Sequence, residues 1–446
     1  MPRVLIVSPH FPPVNAADMH RVRQSLPYLA EMGWEATVLA VDPRYVEMAR
    51  DDALLRTIPP ATNVQHVAAL DPRWTRKLGL GSVALRSLWQ YCHAGNRLLA
   101  RGDMDLVYFS TTMFPVTILG AYWKRRFGVP FVIDLQDPWH TDYYERLPKE
   151  QRPRKYWFSH RLDKYLEPIA MRSVDAVISV SDDYCATLRE RYPRMRETPC
   201  SVIPFGGATR DFELLDELKP ENCVFRREDG IVNVVYVGRG GHDMAVAAHA
   251  IFGALADGLV SQPALFSQVR LHFVGTSYGR ADDAAKTIEP LAAQYGVENC
   301  VREYPARVPY FTALELLREA DMLVIPGSTS PGYTASKLYP YILARRPILA
   351  IFAEGSSVVS ALRETAAGDV VTFGGATAPG DQTLRAGVLE TWSRILGALP
   401  FTPATQWSAF ERYTARTMTR RQVEVFDRVV AKTSVVRASP LQPTIT

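Results

Sequence analysis

The sequence predicts an α/β fold of two doubly wound domains facing a cleft. Short apolar runs alternate with segments of helical spacing through both halves, as in parallel sheets covered by helices on both faces. The rhythm breaks once, over residues 205–230, where charged and turn residues accumulate, and then restarts. A length of 446 residues leaves room for two or three domains and ample core.

In the first half, Val4–Val7 reads as a strand. Met19, Val22, Leu26 and Leu29 recur at helical spacing, and Gly33 stands at the expected stop. Trp34–Val41, Asp105–Ser110, Pro130–Leu135, Asp175–Val180 and Cys200–Pro204 read as further strands. Pro115–Phe127 and Ser181–Tyr192 read as helices, with Ser181 a good N-cap. In the second half the predicted strands are Ile231–Gly238, Arg270–Gly275, Val301–Tyr304, Met322–Ile325, Pro347–Phe352 and Val370–Phe373. Helices are expected near 243–256 and 282–295, over Phe311–Ala320 and over Thr334–Ala344. A last helix, 405–431, is expected to cross back to the first domain, and 432–446 to form a mobile tail. The expected domains are therefore 1–205 and 206–404.

Apolar content of 47% and charged content of 22% fit a soluble globular enzyme. The five cysteines are scattered and include no CxxC pair, which disfavours a disulfide framework or zinc site and fits a reducing cytoplasm. No basic-then-apolar leader precedes the first strand, and no apolar run is read as a membrane span. The net charge is only +4, which argues against a nucleic-acid partner. It is uneven, however: Pro72–Gly102 holds Arg73, Arg76, Lys77, Arg86, Arg97 and Arg101 without one acid, interleaved with Trp74 and Trp89. Such a stretch suits peripheral binding to an anionic membrane face. The alternative is a helix pair whose apolar side is core.

The candidate site centres on 321–352. A buried strand runs into a loop with Gly327 and Gly332, then into a helix carrying Lys337 in its first turn. Loops at the C-terminal edge of a parallel sheet are where such folds bind ligands, and a helix start favours phosphate. A cation there opposes the helix dipole, so an anionic ligand is one reason for Lys337, and a solvated surface lysine is the other.

Four stretches, in order, resemble the GT-B glycosyltransferases, and within them the retaining group called family 4. They are VLIVSPHFPPVNAADMHR at the start, VPFVIDLQDPW (Val129–Trp139), VVYVGRGG (Val234–Gly241) and SKLYPYILARRPIL (Ser336–Leu349). The resemblance implies two Rossmann-like domains, N-terminal for the acceptor and C-terminal for a nucleotide-sugar donor of UDP or GDP type. It implies transfer to a carbohydrate or lipid-linked acceptor in bacterial polysaccharide synthesis, on the cytoplasmic side, with no cofactor and no metal. Two departures stand out: Pro340 replaces the glutamate that grips the donor ribose, and the lysine that often follows VGR is missing.

The leaving nucleoside diphosphate gathers negative charge in the transition state, so fixed cations and backbone dipoles are the main lever. Arg239 and Lys337 are the cationic candidates, and Asp137 is the third catalytic candidate, as an acceptor-orienting group or a base. The donor side draws on Asn15, Ala16, Gly238, Gly240, Gly241, Arg307, Val308, Tyr333, Thr334, Ser336 and Tyr341. His10, Asp18, Arg21 and His140 are the acceptor-side candidates. Asp103-Met104-Asp105 resembles a metal-binding DxD, but it stands before a strand and reads as a turn. A sugar-nucleotide epimerase and a non-catalytic nucleotide-sugar binder remain as alternatives. A dehydrogenase is disfavoured because Asp243 occupies the place of the third fingerprint glycine.

Overall fold

The structure is a computed structural model that describes all residues except 76–79, 143–144, 146–148, 150–151, 153–155, 278–284, 330–335 and 439–446. The chain forms two compact units, Met1–Phe205 with Ala415–Thr446, and Gly206–Thr414.

The first unit is built on a seven-stranded parallel sheet: β1 Arg3–Val7, β2 Glu35–Val41, β3 Asn63–Val67, β4 Leu106–Ser110, β5 Phe131–Leu135, β6 Ala176–Ser179 and β7 Cys200–Val202. Their order is β3-β2-β1-β4-β5-β6-β7. Leu5 pairs with Thr37 on one side and Val107 on the other. The order reverses between β1 and β4, so the loops after these strands part and leave a crevice at their C-terminal ends. The helix Ala415–Ala438 packs on His20–Leu29. Its Phe426 is fully buried, edge-on to Trp34 at 5.3 Å and Tyr108 at 5.0 Å. Trp34 Nε1 donates to Asp427 Oδ1 at 2.9 Å, so burying the indole leaves no polar group unpaired.

The second unit repeats the plan with six parallel strands: β8 Val232–Val237, β9 Val269–Val274, β10 Val301–Tyr304, β11 Met322–Pro326, β12 Ile348–Ala353 and β13 Asp369–Phe373. Their order is β10-β9-β8-β11-β12-β13, with the switch between β8 and β11. Both faces are covered, which is why these strands read as continuous apolar runs.

Several expected elements differ. The helix expected over Thr334–Ala344 is only Leu338–Leu343, and Lys337 is its N-cap without a capping side chain. In the 282–295 stretch the described helix is Glu289–Ala293. The break over 205–230 contains a helix, Thr209–Leu218, closed by Lys219 in the left-handed region. The last long helix starts at Ala415, not 405, and runs to Ala438, through the first half of the expected tail; 439–446 lie outside the described residues. Residues 407–413 instead stay with the second unit, because Phe410 and Tyr413 pack on Tyr339 and Gly207 N–H donates to the Tyr413 carbonyl at 2.8 Å. The division therefore falls after Thr414 rather than after 404.

Two composition arguments also need correction. Cys185 and Cys200 form a disulfide, with Cα atoms 6.2 Å apart, because the helix Asp182–Arg191 returns the chain to β7 beside β6. Spacing in sequence could not reveal that. One stretch, His242–Ser261, is long and apolar enough to span a membrane. It is a core helix: Ile251, Phe252, Ala254 and Leu255 are fully buried against the second sheet.

Candidate functional site

In the second unit a cluster of cations, Lys337, Arg239 and Arg307, gathers by the C-terminal ends of β8 and β11. Tyr341 fastens the end of β8: the hydroxyl accepts from Val237 N–H at 2.7 Å and donates to the Val237 carbonyl at 3.1 Å. Tyr341 is thus buried beneath the site rather than lining it. At Gly238, in the loop after β8, a Cβ would lie 2.5 Å from the Tyr236 hydroxyl and 2.7 Å from Lys337 Nζ, so any side chain there would displace these two tips. Thr329 N–H donates to the Asp243 carbonyl at 2.9 Å and ties the loop after β11 to the loop after β8.

Lys337 is the centre of this cluster. Its ammonium has no hydrogen-bond or ion-pair partner among the described residues and stands 6.0 Å over the Tyr236 ring. Water touches part of the side chain, yet protein surrounds the ammonium as in an interior. Solvation of a charge depends on that surrounding more than on a narrow opening. Burial, then the nearby Arg239 and Arg307 cations, lower its pKa to about 7 against the pull of Asp243.

Arg239 is not a free cation. Its guanidinium grips Asp243 with both arms, at 2.8 and 2.6 Å, and this pairing, opposed by burial and helped by Ser328, holds the Asp243 carboxyl low. Gly240 N–H is engaged with the Thr276 carbonyl at 2.8 Å, whereas Gly241 N–H has no bond within the described chain. A Cβ on Gly241 would meet Arg239 Nη1 and Asp243 Oδ1, each at 2.6 Å. Arg307 is exposed close enough to Lys337 to act on its charge, while Val308 is half-buried against the core. Ser336 is half-buried at the start of the short helix; Tyr333 and Thr334 lie outside the described residues.

The first unit gathers His10, Asp18 and Arg21 at the C-terminal edge of β1, β4 and β5, all buried. His10 Nδ1 and Asp18 Oδ1 are 2.9 Å apart, and Asp18 Oδ2 accepts from Thr111 Oγ1 at 2.9 Å and Thr112 N–H at 3.1 Å. Burial would raise the Asp18 pKa, but the His10 contact and these donors outweigh it and the carboxyl is held low. Arg21 Nε donates to Asp134 Oδ2 at 2.9 Å, and its other nitrogens reach the carbonyls of Ile203 and Pro204. Arg21 therefore braces β5 to the chain after β7, a structural duty that acceptor binding did not foresee.

Asp137 follows β5. Its tip is exposed and has no hydrogen bond among the described residues, but the surrounding protein, and then Asp18, push its pKa up. Asn15 and Ala16 are placed less favourably for a ligand: their N–H groups donate to the Ala49 and Val14 carbonyls at 2.9 and 3.1 Å. His140 lies apart from His10 and pairs with His160. The Asp103-Met104-Asp105 turn is a clamp at the opposite sheet edge, where Arg3 contacts Asp103 at 2.6 Å and Asp105 at 2.8 Å.

Sequence reading missed Asp243, Asp134, Thr111 and Gln136, whose Nε2 donates to Ser110 Oγ and Asp134 Oδ2, each at 3.0 Å. Arg239 and Asp243 are four residues apart, but Arg239 lies in the loop before the short turn His242–Met244, so their pairing follows from how that loop folds and not from helical spacing. The other three act across strands, where sequence distance says nothing.

Residues 20–207 match the family described as Glycosyltransferase Family 4. No protein of curated function matches the chain. Among solved structures, Anabaena HepE in complex with UDP-glucose aligns with TM-score 0.58 and 17% identity, over 96% of this chain and 99% of that one. The UDP-forming α,α-trehalose-phosphate synthase of Burkholderia xenovorans aligns with TM-score 0.58 and 14% identity, over 96% and 99%. A glycosyltransferase from Rickettsia africae aligns with TM-score 0.57 and 12% identity, over 96% and 98%. The two doubly wound units have the fold of these GT-B glycosyltransferase structures. More particularly, the match to that family model lies over residues 20–207, almost all in the first unit, while the second unit sets a cluster of cations at the switch point of its sheet.

Proposed function

We propose that this protein moves a sugar from a nucleotide-sugar donor to a carbohydrate or lipid-linked acceptor, with retention and with no metal at the donor site. The observation that carries the reading is Lys337: an enclosed ammonium without a partner among the described residues, beside two arginines, at the switch point of the second sheet. Such a group is costly to the folded protein unless an anion completes it. A UDP-type donor is the first choice, supported by HepE having been solved with UDP and UDP-glucose; a GDP-type donor is the alternative.

Lys337 contacts the diphosphate, and Arg239 exchanges Asp243 for it. Gly238 and Gly241 admit the phosphate close to the backbone. Charge on the leaving group grows along the reaction, so both cations favour the transition state over the bound donor. The leaving phosphate takes the acceptor proton, and Asp137 orients the acceptor. We place the protein on the cytoplasmic side in bacterial polysaccharide synthesis, peripherally bound to an anionic membrane through Trp74, Trp89, Arg73, Arg97 and Arg101. All five are exposed, whereas Arg86 is buried and donates to the Leu70 and Tyr45 carbonyls. Arg76 and Lys77 lie outside the described residues.

Labelled UDP- and GDP-sugars test the reading. Slow donor hydrolysis without acceptor, lost in Lys337→Ala, supports transfer. Interconversion of the sugar would make the protein an epimerase, and binding without turnover a nucleotide-sugar binder.

A further inference from the structure

We infer that His140, His160 and Asp142 form a binding site for a divalent transition-metal ion, zinc by its ligand chemistry, separate from the cations around Lys337. The two imidazole Nε2 atoms face each other at 3.2 Å, and Asp142 Oδ1 lies 2.9 Å from His160 Nε2 and 4.0 Å from His140 Nε2. Tetrahedral zinc with ligand bonds of ~2.0–2.2 Å holds its ligand atoms ~3.4 Å apart, so the three atoms need only small shifts to share one ion. Glu145 Oε1, 3.8 Å from His160 Nε2, stands where a fourth ligand or a water would go.

Without a metal the cluster is poorly matched. Each neutral imidazole carries one N–H. If His160 holds its proton on Nε2, a single hydrogen must serve both Asp142 and His140. His140 then keeps its proton on Nδ1, which is buried and has no partner among the described residues. If His140 protonates Nε2 instead, the lone pair of His160 Nε2 faces the Asp142 carboxylate. A metal ion accepts both Nε2 lone pairs and the carboxylate at once.

The cluster is also held from behind. His140 N–H donates to Glu167 Oε2 at 2.9 Å, and the buried Glu167 is fixed by Arg191 Nη1 at 2.6 Å and the Tyr192 hydroxyl at 2.8 Å. Tyr156 packs against the His160 ring. His160 belongs to the helix Tyr156–Met171, while His140 belongs to the loop after β5 that carries Asp137. The ion staples that loop to that helix.

Full-length protein is stripped with chelator and titrated with zinc chloride by calorimetry and thermal shift, then with Co²⁺ by absorption. One equivalent binds saturably and raises the melting temperature, and Co²⁺ shows tetrahedral bands without thiolate charge transfer. His160→Gln and the exposed-side Asp142→Asn each lose the saturable binding while keeping the far-ultraviolet dichroism of the parent. The inference is overturned if stripped parent shows no stoichiometric binding, if both variants bind zinc as the parent does, or if the Co²⁺ spectrum is that of cysteine ligation.

Discussion

At Lys337 an enclosed charge lowers the stability of the folded protein. Burial, then the Arg239 and Arg307 charges, lower its pKa from the ordinary 10.5 to about 7. Between those values the unfolded state holds the extra proton, so this group's contribution to stability rises with pH through the window. Lys337→Met should therefore be more stable than the parent at pH 7 and below, with the difference shrinking towards pH 10.5. Urea denaturation across the window measures this; a variant less stable at pH 7 would mean that the ammonium is not a burden. A bound diphosphate restores the charge, so binding near neutral pH takes up a proton. Calorimetry in two buffers of different ionisation enthalpy reads that uptake, and the same heat in both would count against it. Lys337→Ala should lose on the order of 10²-fold in kcat, as when one preorganised stabilising group is removed. Arg239→Ala should do likewise, and the double variant should lose less than the sum if one diphosphate is shared. Full turnover of Lys337→Ala with an authentic donor would return Lys337 to the surface lysines.

At the scale of elements, the helix Val83–Leu99 separates two roles that its sequence mixes. Val83, Tyr91, Leu98 and Arg86 face inwards, while Trp89 and Arg97 stay in water. A tryptophan 78% exposed buries little on folding and is available to an interface, as is Trp74 at 76%. Binding to anionic vesicles should thus weaken with salt and fall when Arg73, Arg97 and Arg101 are changed together to glutamine. Replacing Trp74 and Trp89 with alanine should weaken it at any salt concentration, without loss of secondary structure. A protein that ignores such vesicles at low salt would favour a soluble acceptor.

For the molecule as a whole, the proposed donor site is a set of loops at one switch point, and ligand binding there should stabilise the unit that carries it. A thermal-shift screen across nucleoside diphosphates is the direct measurement. UDP at ~100 times its Kd should stabilise by ~2.7 kcal/mol, with GDP as the comparison. The shift should be lost in Lys337→Ala. Equal shifts in parent and variant would move the donor site away from Lys337.

The sequence by itself determined the two parallel sheets. Buried strands such as Val234–Val237 and Met322–Ile325 announce themselves as apolar runs, and glycines mark the turns that must be tight. It also pointed to Lys337 and Gly238, because a cation beside a glycine loop at a strand end is a local signal. Only the tertiary structure decided which charges are already engaged. Arg239 is held by Asp243, Arg21 by Asp134, and Arg86 by carbonyls, so none of them has the unpartnered ammonium of Lys337. The last helix began ten residues later than its periodicity suggested, because Phe410 and Tyr413 belong to the second unit and pack there on Tyr339. The Cys185–Cys200 bond and the His140–His160 pair were likewise invisible, since they join residues 15 and 20 apart that the α/β crossover returns to one place. Periodicity reports which face of an element is buried. Pairing depends on distances between elements, and these exist only once the sheets have formed.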